Sequence, residues 1–168
     1  MQRSLDSLSG IVLSTVRIVV SFLFMLHGVA ALFGVLGGGF GRRGAAEPLG
    51  QWPSWWAGLI QLVGGGLILL GLFTRPAAIV CSGTMAYAYF SVHQPRAPLP
   101  IQNAGELAAL YSWFFLLIAV LGAGPYAVDT LRHRLRRAPP RTRMLTRGRV
   151  PRPRAPGVPR PGAATRER

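Results

Sequence analysis

Five side chains carry most of the chemistry this sequence offers. His27, Gln61 and Cys81 sit inside long apolar stretches, Arg17 stands at the start of one, and Glu106 opens another. Polar groups in such surroundings are costly, which makes them the first candidates for function. His27 is a candidate catalytic residue because imidazole titrates near neutral pH and can handle a proton. A structural hydrogen bond to a neighbouring helix is its simpler use. Glu106 is the second catalytic candidate, as a route for that proton. Asn103-Ala-Gly-Glu106 also has capping-box spacing, with Asn in place of Ser or Thr. Arg17, a ligand-binding candidate, can either snorkel to a polar surface or turn inward to pair with Asp129. Gln61 is a further ligand-binding candidate. A single cysteine cannot form an internal disulfide, and Cys81 reads as a small hydrophobe. No Cys/His spacing suggests zinc, so no metal site is expected. Neither a nucleotide fingerprint nor a Ser-His-Asp arrangement is visible.

The elements that position these residues are four apolar runs. Ile18 to Gly41 gives 24 residues without a charge, Pro48 to Thr74 gives 27, Pro76 to Pro95 gives 20 and Leu107 to Val128 gives 22. A helix rises ~1.5 Å per residue, so ~20 apolar residues cross a hydrocarbon core of ~30 Å. A soluble bundle would carry charges along its outer faces, and these faces are bare. The sequence therefore predicts an all-α, integral membrane four-helix bundle over residues 1–131. Its helices are expected at about 11–35, 54–73, 76–92 and 104–122. The third run is the most polar, with Ser82, Thr84, Ser91, His93 and Gln94. Thr74-Arg75-Pro76 leaves room for only a tight turn, which makes helices two and three a hairpin. The loop from His93 to Gln102 holds three prolines and is not expected to be helical. Trp52, Trp55 and Trp56 read as an interfacial belt. Tyr87, Tyr89 and Phe90 read as packing and interface residues. Gly64-Gly65-Gly66, Gly71 and the Ala30-x-x-x-Gly34 spacing read as close helix packing. The first run exceeds a signal-peptide h-region and lacks a cleavage site, so no cleaved leader is expected.

Charge is concentrated at one end. Residues 132–168 hold thirteen of the 19 arginines against one acid, Glu167, for a net +12. The remaining six arginines and four acids leave the body at +2. The segment from Arg132 to Arg168, rich in Arg, Pro, Gly and Ala, is predicted to be a disordered cytoplasmic tail. Its expected partner is the anionic lipid headgroup, with a soluble protein as the alternative; nucleic acid is not expected. Four crossings put both termini on one side. Arg132, Arg134, Arg136 and Arg137 directly after the last helix place that side in the cytoplasm.

Several stretches together resemble the DoxX family of small bacterial four-helix membrane proteins. The resemblance runs from Arg17-Ile-Val through Phe24-Met-Leu-His27-Gly28 to Leu32-Phe33-Gly34. It resumes over Leu62 to Ala77, with Gly64-Gly65-Gly66, Gly71 and Thr74-Arg75-Pro76, and again from Asn103 to Tyr111, then Gly124-Pro125 and Asp129. Tyr111 thereby joins Arg17 and Gln61 as a ligand-binding candidate. The chain departs from the family pattern at Ala31, where a lysine is common, and at Gln61, where an acid is common. The resemblance implies a bacterial inner-membrane location and an association with sulfur or thiol oxidation and quinone reduction. Quinone is the cofactor it suggests, with His27 contacting the quinone oxygen and Glu106 leading the proton outward. Two readings follow. One is a redox subunit linking a sulfur or thiol donor to the quinone pool. The other is a non-catalytic scaffold that recruits soluble redox or oxidative-stress enzymes. A transporter would be expected to show a repeat with broken helices, and none is convincing. A homo-oligomer is left open.

Overall fold

A computed structural model describes residues 2–39 and 44–137; of the disordered tail predicted from Arg132, residues 132–137 are instead helical, continuing a helix that starts at Val128, and the rest, to residue 168, lies outside the described residues. All regular structure among them is helical. The elements are α1 (Gln2–Phe33), α2 (Ser54–Leu70), α3 (Thr74–Ala88), α4 (Pro100–Asn103), α5 (Glu106–Leu121) and α6 (Val128–Arg137). A π-helical turn, Tyr89–His93, continues α3 without a break.

Helix α1 holds a 26-residue stretch, Leu8–Phe33, with a mean hydropathy of 2.1, long and apolar enough to cross a membrane. Helices α2 and α5 are apolar but shorter, at 17 and 16 residues. At ~1.5 Å per residue each falls a few ångströms short of a ~30 Å hydrocarbon core. The outward faces of α1, α3 and α5 are nonetheless apolar: Val12, Val19, Phe22, Ile79, Val80, Leu110, Trp113 and Val120 all stand exposed. Polar residues gather inside instead, where Ser14, Arg17, Ser21, Gln61, Thr74, Ser82 and Asn103 are buried. This inversion of the ordinary soluble pattern marks a body whose exterior is not built for water.

Helices α1 and α2 run antiparallel along a seam of small residues. A methyl group at Gly28 would lie 2.5 Å from Leu62 N and 2.7 Å from Gly58 O, so the two backbones touch there. Gly58 faces Ala31 and Leu32, and Gly65 faces Met25 and the Ser21 carbonyl. Gly64 makes the same close approach to α3, where its missing side chain is replaced by Cys81 Sγ. Cys81 is thus a packing residue of the core, with Phe24, Ile68, Met85, Tyr111, Phe115 and Ile118. Helix α3 packs antiparallel to α5, and Ser82 Oγ donates to Ser112 O at 2.8 Å across that contact.

The sequence placed the last long helix from residue 104 with Asn103 as its cap; the structure breaks the chain differently. Pro100 opens the single turn α4, where its missing N–H is no loss. Asn103 ends that turn, and Ala104 adopts a left-handed conformation with φ 55°. Helix α5 then starts at Glu106 behind Gly105, with no side-chain cap. The capping box therefore does not form. Asn103 Oδ1 accepts instead from Gly105 N at 2.8 Å, an Asx-type turn, while its Nδ2 donates to Ala97 O at 2.8 Å.

Candidate functional site

At the end of the helices remote from the α2–α3 turn lies a cavity of about 220 Å³. Helix α1 supplies Phe24 and His27, α2 supplies Gln61, the π turn supplies Val92 and His93, and α5 supplies Tyr111. Three of the sequence-derived candidates, His27, Gln61 and Tyr111, thus meet at one place.

Gln61 is 3 % exposed, and its Oε1 has no hydrogen-bond partner. Buried polar atoms are ordinarily paired, and an unmade bond there costs ~1–3 kcal/mol. Its position follows from the glycine seam: Gly28 presses against the backbone at Gln61 and Leu62, which fixes the height of the carboxamide along α2. Tyr111 is buried in an aromatic cluster. Its ring stacks on Phe115 at 6.0 Å and meets Phe24 at 5.1 Å, while Phe24 meets Phe115 edge-on at 4.6 Å. His27 is not enclosed among the helices as its mid-run position suggested. It stands exposed at the edge of the body, its ring edge-on to Tyr111 at 6.1 Å.

His93 completes the set, and sequence reasoning assigned it to a loop. Its Nδ1 lies 3.1 Å from Asn103 O. A carbonyl can only accept, so Nδ1 carries the proton and the neutral ring has Nε2 as an acceptor. A histidine closing the third apolar run, at the end of the body where His27 also falls, was the available signal. The prolines that follow it masked the signal by arguing against a helix.

Glu106 and Arg17 stand outside the cavity. Glu106 is exposed at the first position of α5, between the lining residues Ala104 and Leu107 but not itself lining. Arg17, 1 % exposed, lies about three turns of α1 from His27. It neither snorkels nor bonds directly to Asp129. Its Nη1 donates to Ile68 O and to Leu69 O (2.7 Å), and its Nη2 donates to Tyr126 O at 2.7 Å. Asp129 Oδ2 accepts from Thr74 N at 3.1 Å and from Thr74 Oγ1 at 3.3 Å. A cation thus closes the C-terminus of α2 and an anion the N-terminus of α3, each matching the helix dipole it faces. Around the turn between them, Gly71 takes φ 70° where a side chain would collide with Ala127, and Asp129 N donates to Gly71 O at 2.9 Å. This constellation holds the hairpin together, with Arg17 Nε the one guanidinium nitrogen left without a hydrogen-bond partner.

The DoxX family model matches residues 12–94. A Haemophilus influenzae (strain Rd) protein described as uncharacterized is 44 % identical over 120 residues, covering 70 % of this chain and 87 % of that relative. No solved structure matches the chain. The match takes in His27, Gln61, His93 and the Arg17 clamp on α2, all within one continuous segment. The chain belongs to the DoxX family of membrane proteins.

Proposed function

We propose that this protein is a multi-pass inner-membrane subunit with both termini cytoplasmic, whose cavity holds the ring of a membrane quinone. In this reading it passes electrons to the quinone pool from a sulfur or thiol donor carried by a soluble partner. The observation that carries the proposal is the Gln61 carboxamide, buried without a partner for Oε1 at a cavity walled by aromatic rings. The residues fit the group. A quinone offers two acceptor oxygens, and the quinol offers two donors. Gln61, which carries both functions, can serve either form, the Tyr111 hydroxyl can donate, and neutral His93 can accept at Nε2. Phe24 and Tyr111 supply apolar walls for a flat ring.

The quinone, when bound, takes up two electrons and two protons. The chain's own part is to hold and orient the ring and to move protons. In this reading His27, exposed at the edge with its ring edge-on to Tyr111, is the group through which the proton leaves the cavity. Glu106, beside the rim, is the next group outward. The apolar outer faces of α1, α3 and α5 support a multi-pass arrangement, in which helices too short alone are completed by the connectors at their ends. Helix α6 supports contact with anionic headgroups. Val128, Leu131 and Leu135 make an exposed apolar stripe on it, with Arg132 exposed beside them.

The test is chemical. Protein purified in mild detergent is extracted with organic solvent and the extract is analysed by mass spectrometry. Quinone should co-purify with the wild type and fall by about ten-fold in Gln61→Leu, the scale set by losing one or two buried hydrogen bonds. A wild type that carries no quinone and binds none on addition overturns the proposal.

A further inference from the structure

The cavity is small for a membrane-dissolved molecule. At about 220 Å³ it falls below the ~300–1,000 Å³ typical of pockets that enclose a whole drug-sized ligand. A single ring fits; a ring with an apolar chain needs more room. That room adjoins it. A groove of about 730 Å³ runs between the N-terminal half of α2 and the far half of α3, and Ala88, Val92 and His93 line both spaces.

The groove is apolar by construction. Trp52, Trp56 and Ile60 form one wall, and Tyr87 forms part of the other. The hydroxyls along α3 are turned back onto their own helix: Thr84 Oγ1 donates to Val80 O at 2.9 Å and Ser91 Oγ to Tyr87 O at 2.6 Å. The π turn brings the two spaces together. Its bonds span five residues rather than four, as in Gln94 N to Tyr89 O at 2.9 Å, so a side chain five positions on falls above Ala88. That residue is His93, and its bond to Asn103 O holds the ring at the junction.

We infer, resting on the ring-binding reading above, that the ligand carries a long apolar chain and reaches the cavity sideways from the bilayer. The chain lies in the α2–α3 groove, and the head passes His93 to meet Gln61. His93 then stands at the threshold between a hydrocarbon-lined groove and a hydrogen-bonding cavity. The size mismatch and the shared lining select this occupant. A phospholipid, whose phosphate would be drawn to Arg96 at the groove, is the competing one.

Gly83 provides the test, because it lines the groove and a side chain there would meet nothing within 4 Å. Wild type, Gly83→Trp and Arg96→Ala are reconstituted in lipid discs. They are titrated with a benzoquinone ring bearing a ten-carbon chain and with the same ring lacking it, each corrected for partition into empty discs. Gly83→Leu serves as a second blocking variant should the tryptophan lower the thermal midpoint. Wild type should bind the chain-bearing probe about ten-fold more tightly than the chainless one. Either blocking variant should erase that preference while leaving chainless affinity within about two-fold, and Arg96→Ala should change neither. Equal affinity of wild type for both probes, or a preference that survives Gly83→Trp and Gly83→Leu, overturns the groove and leaves the ring site standing. A preference that appears only in Arg96→Ala, or grows well beyond ten-fold there, points to a phospholipid held in the groove and also overturns it. If neither probe binds wild type, the ring site itself fails and takes the groove with it.

Discussion

Gln61 and Arg17 are both buried polar side chains, yet their surroundings differ: the guanidinium of Arg17 is bonded to backbone carbonyls and Gln61 Oε1 to nothing. The guanidinium of Arg17 meets three carbonyls, and two of these belong to the last turn of α2, where no intrahelical donor exists. Replacing it with methionine leaves those oxygens without a donor, and we expect a loss of about 2–3 kcal/mol in unfolding measured in detergent. Arg17→Lys should recover only part of this, because an ammonium is a point donor and cannot span α2 and Tyr126 together. Gln61→Leu should behave in the reverse sense. Removing an amide whose oxygen is unpaired leaves the thermal midpoint unchanged or raises it, while ring binding falls. A variant that loses stability and keeps binding would make Gln61 a structural residue. Gln61 and His27 were legible in the sequence, because one polar residue in an apolar run is conspicuous. The difference in partners between Gln61 and Arg17 was not, since it depends on which carbonyls lie within reach 51 residues away.

Among the elements, the α1–α2 seam is where substitution is most constrained. Gly28→Val must push apart two backbones that are already in contact, and overpacking of this kind costs ~1–3 kcal/mol. Gly83, also helical, faces open space, so Gly83→Ala should be neutral or stabilise by ~0.5–1 kcal/mol. Thermal unfolding of the pair side by side checks both, and equal effects would contradict the seam. Close glycine packing was readable from Gly64-Gly65-Gly66, but its main contact at Gly28 was not, because the register of two helices is a tertiary fact. The connector from His93 to Gly105 was the least legible part. Its prolines argue for a loop, yet Pro100 starts a helical turn and the preceding residues wind into a π turn. The cause is Asn103, whose amide bridges Ala97 and Gly105 and whose carbonyl holds His93.

For the molecule as a whole, the apolar exterior predicts that the protein sediments with membranes and is released by detergent, not by salt or alkaline carbonate. Recovery in the unaggregated soluble fraction would remove the basis of every functional proposal above. The helical class was legible because four charge-free runs admit no other satisfied backbone in a bilayer. How the ends are tied was hidden, because Asp129 follows the final apolar run in sequence yet serves the start of α3. That tie sets a limit on shortening the protein. Removing everything after Arg137 spares the arginine and carboxylate that secure the hairpin, so such a version should fold and keep its ligand. Ending the chain at Pro125, only twelve residues earlier, deletes both the Tyr126 carbonyl and Asp129, and should leave a product that the cell degrades.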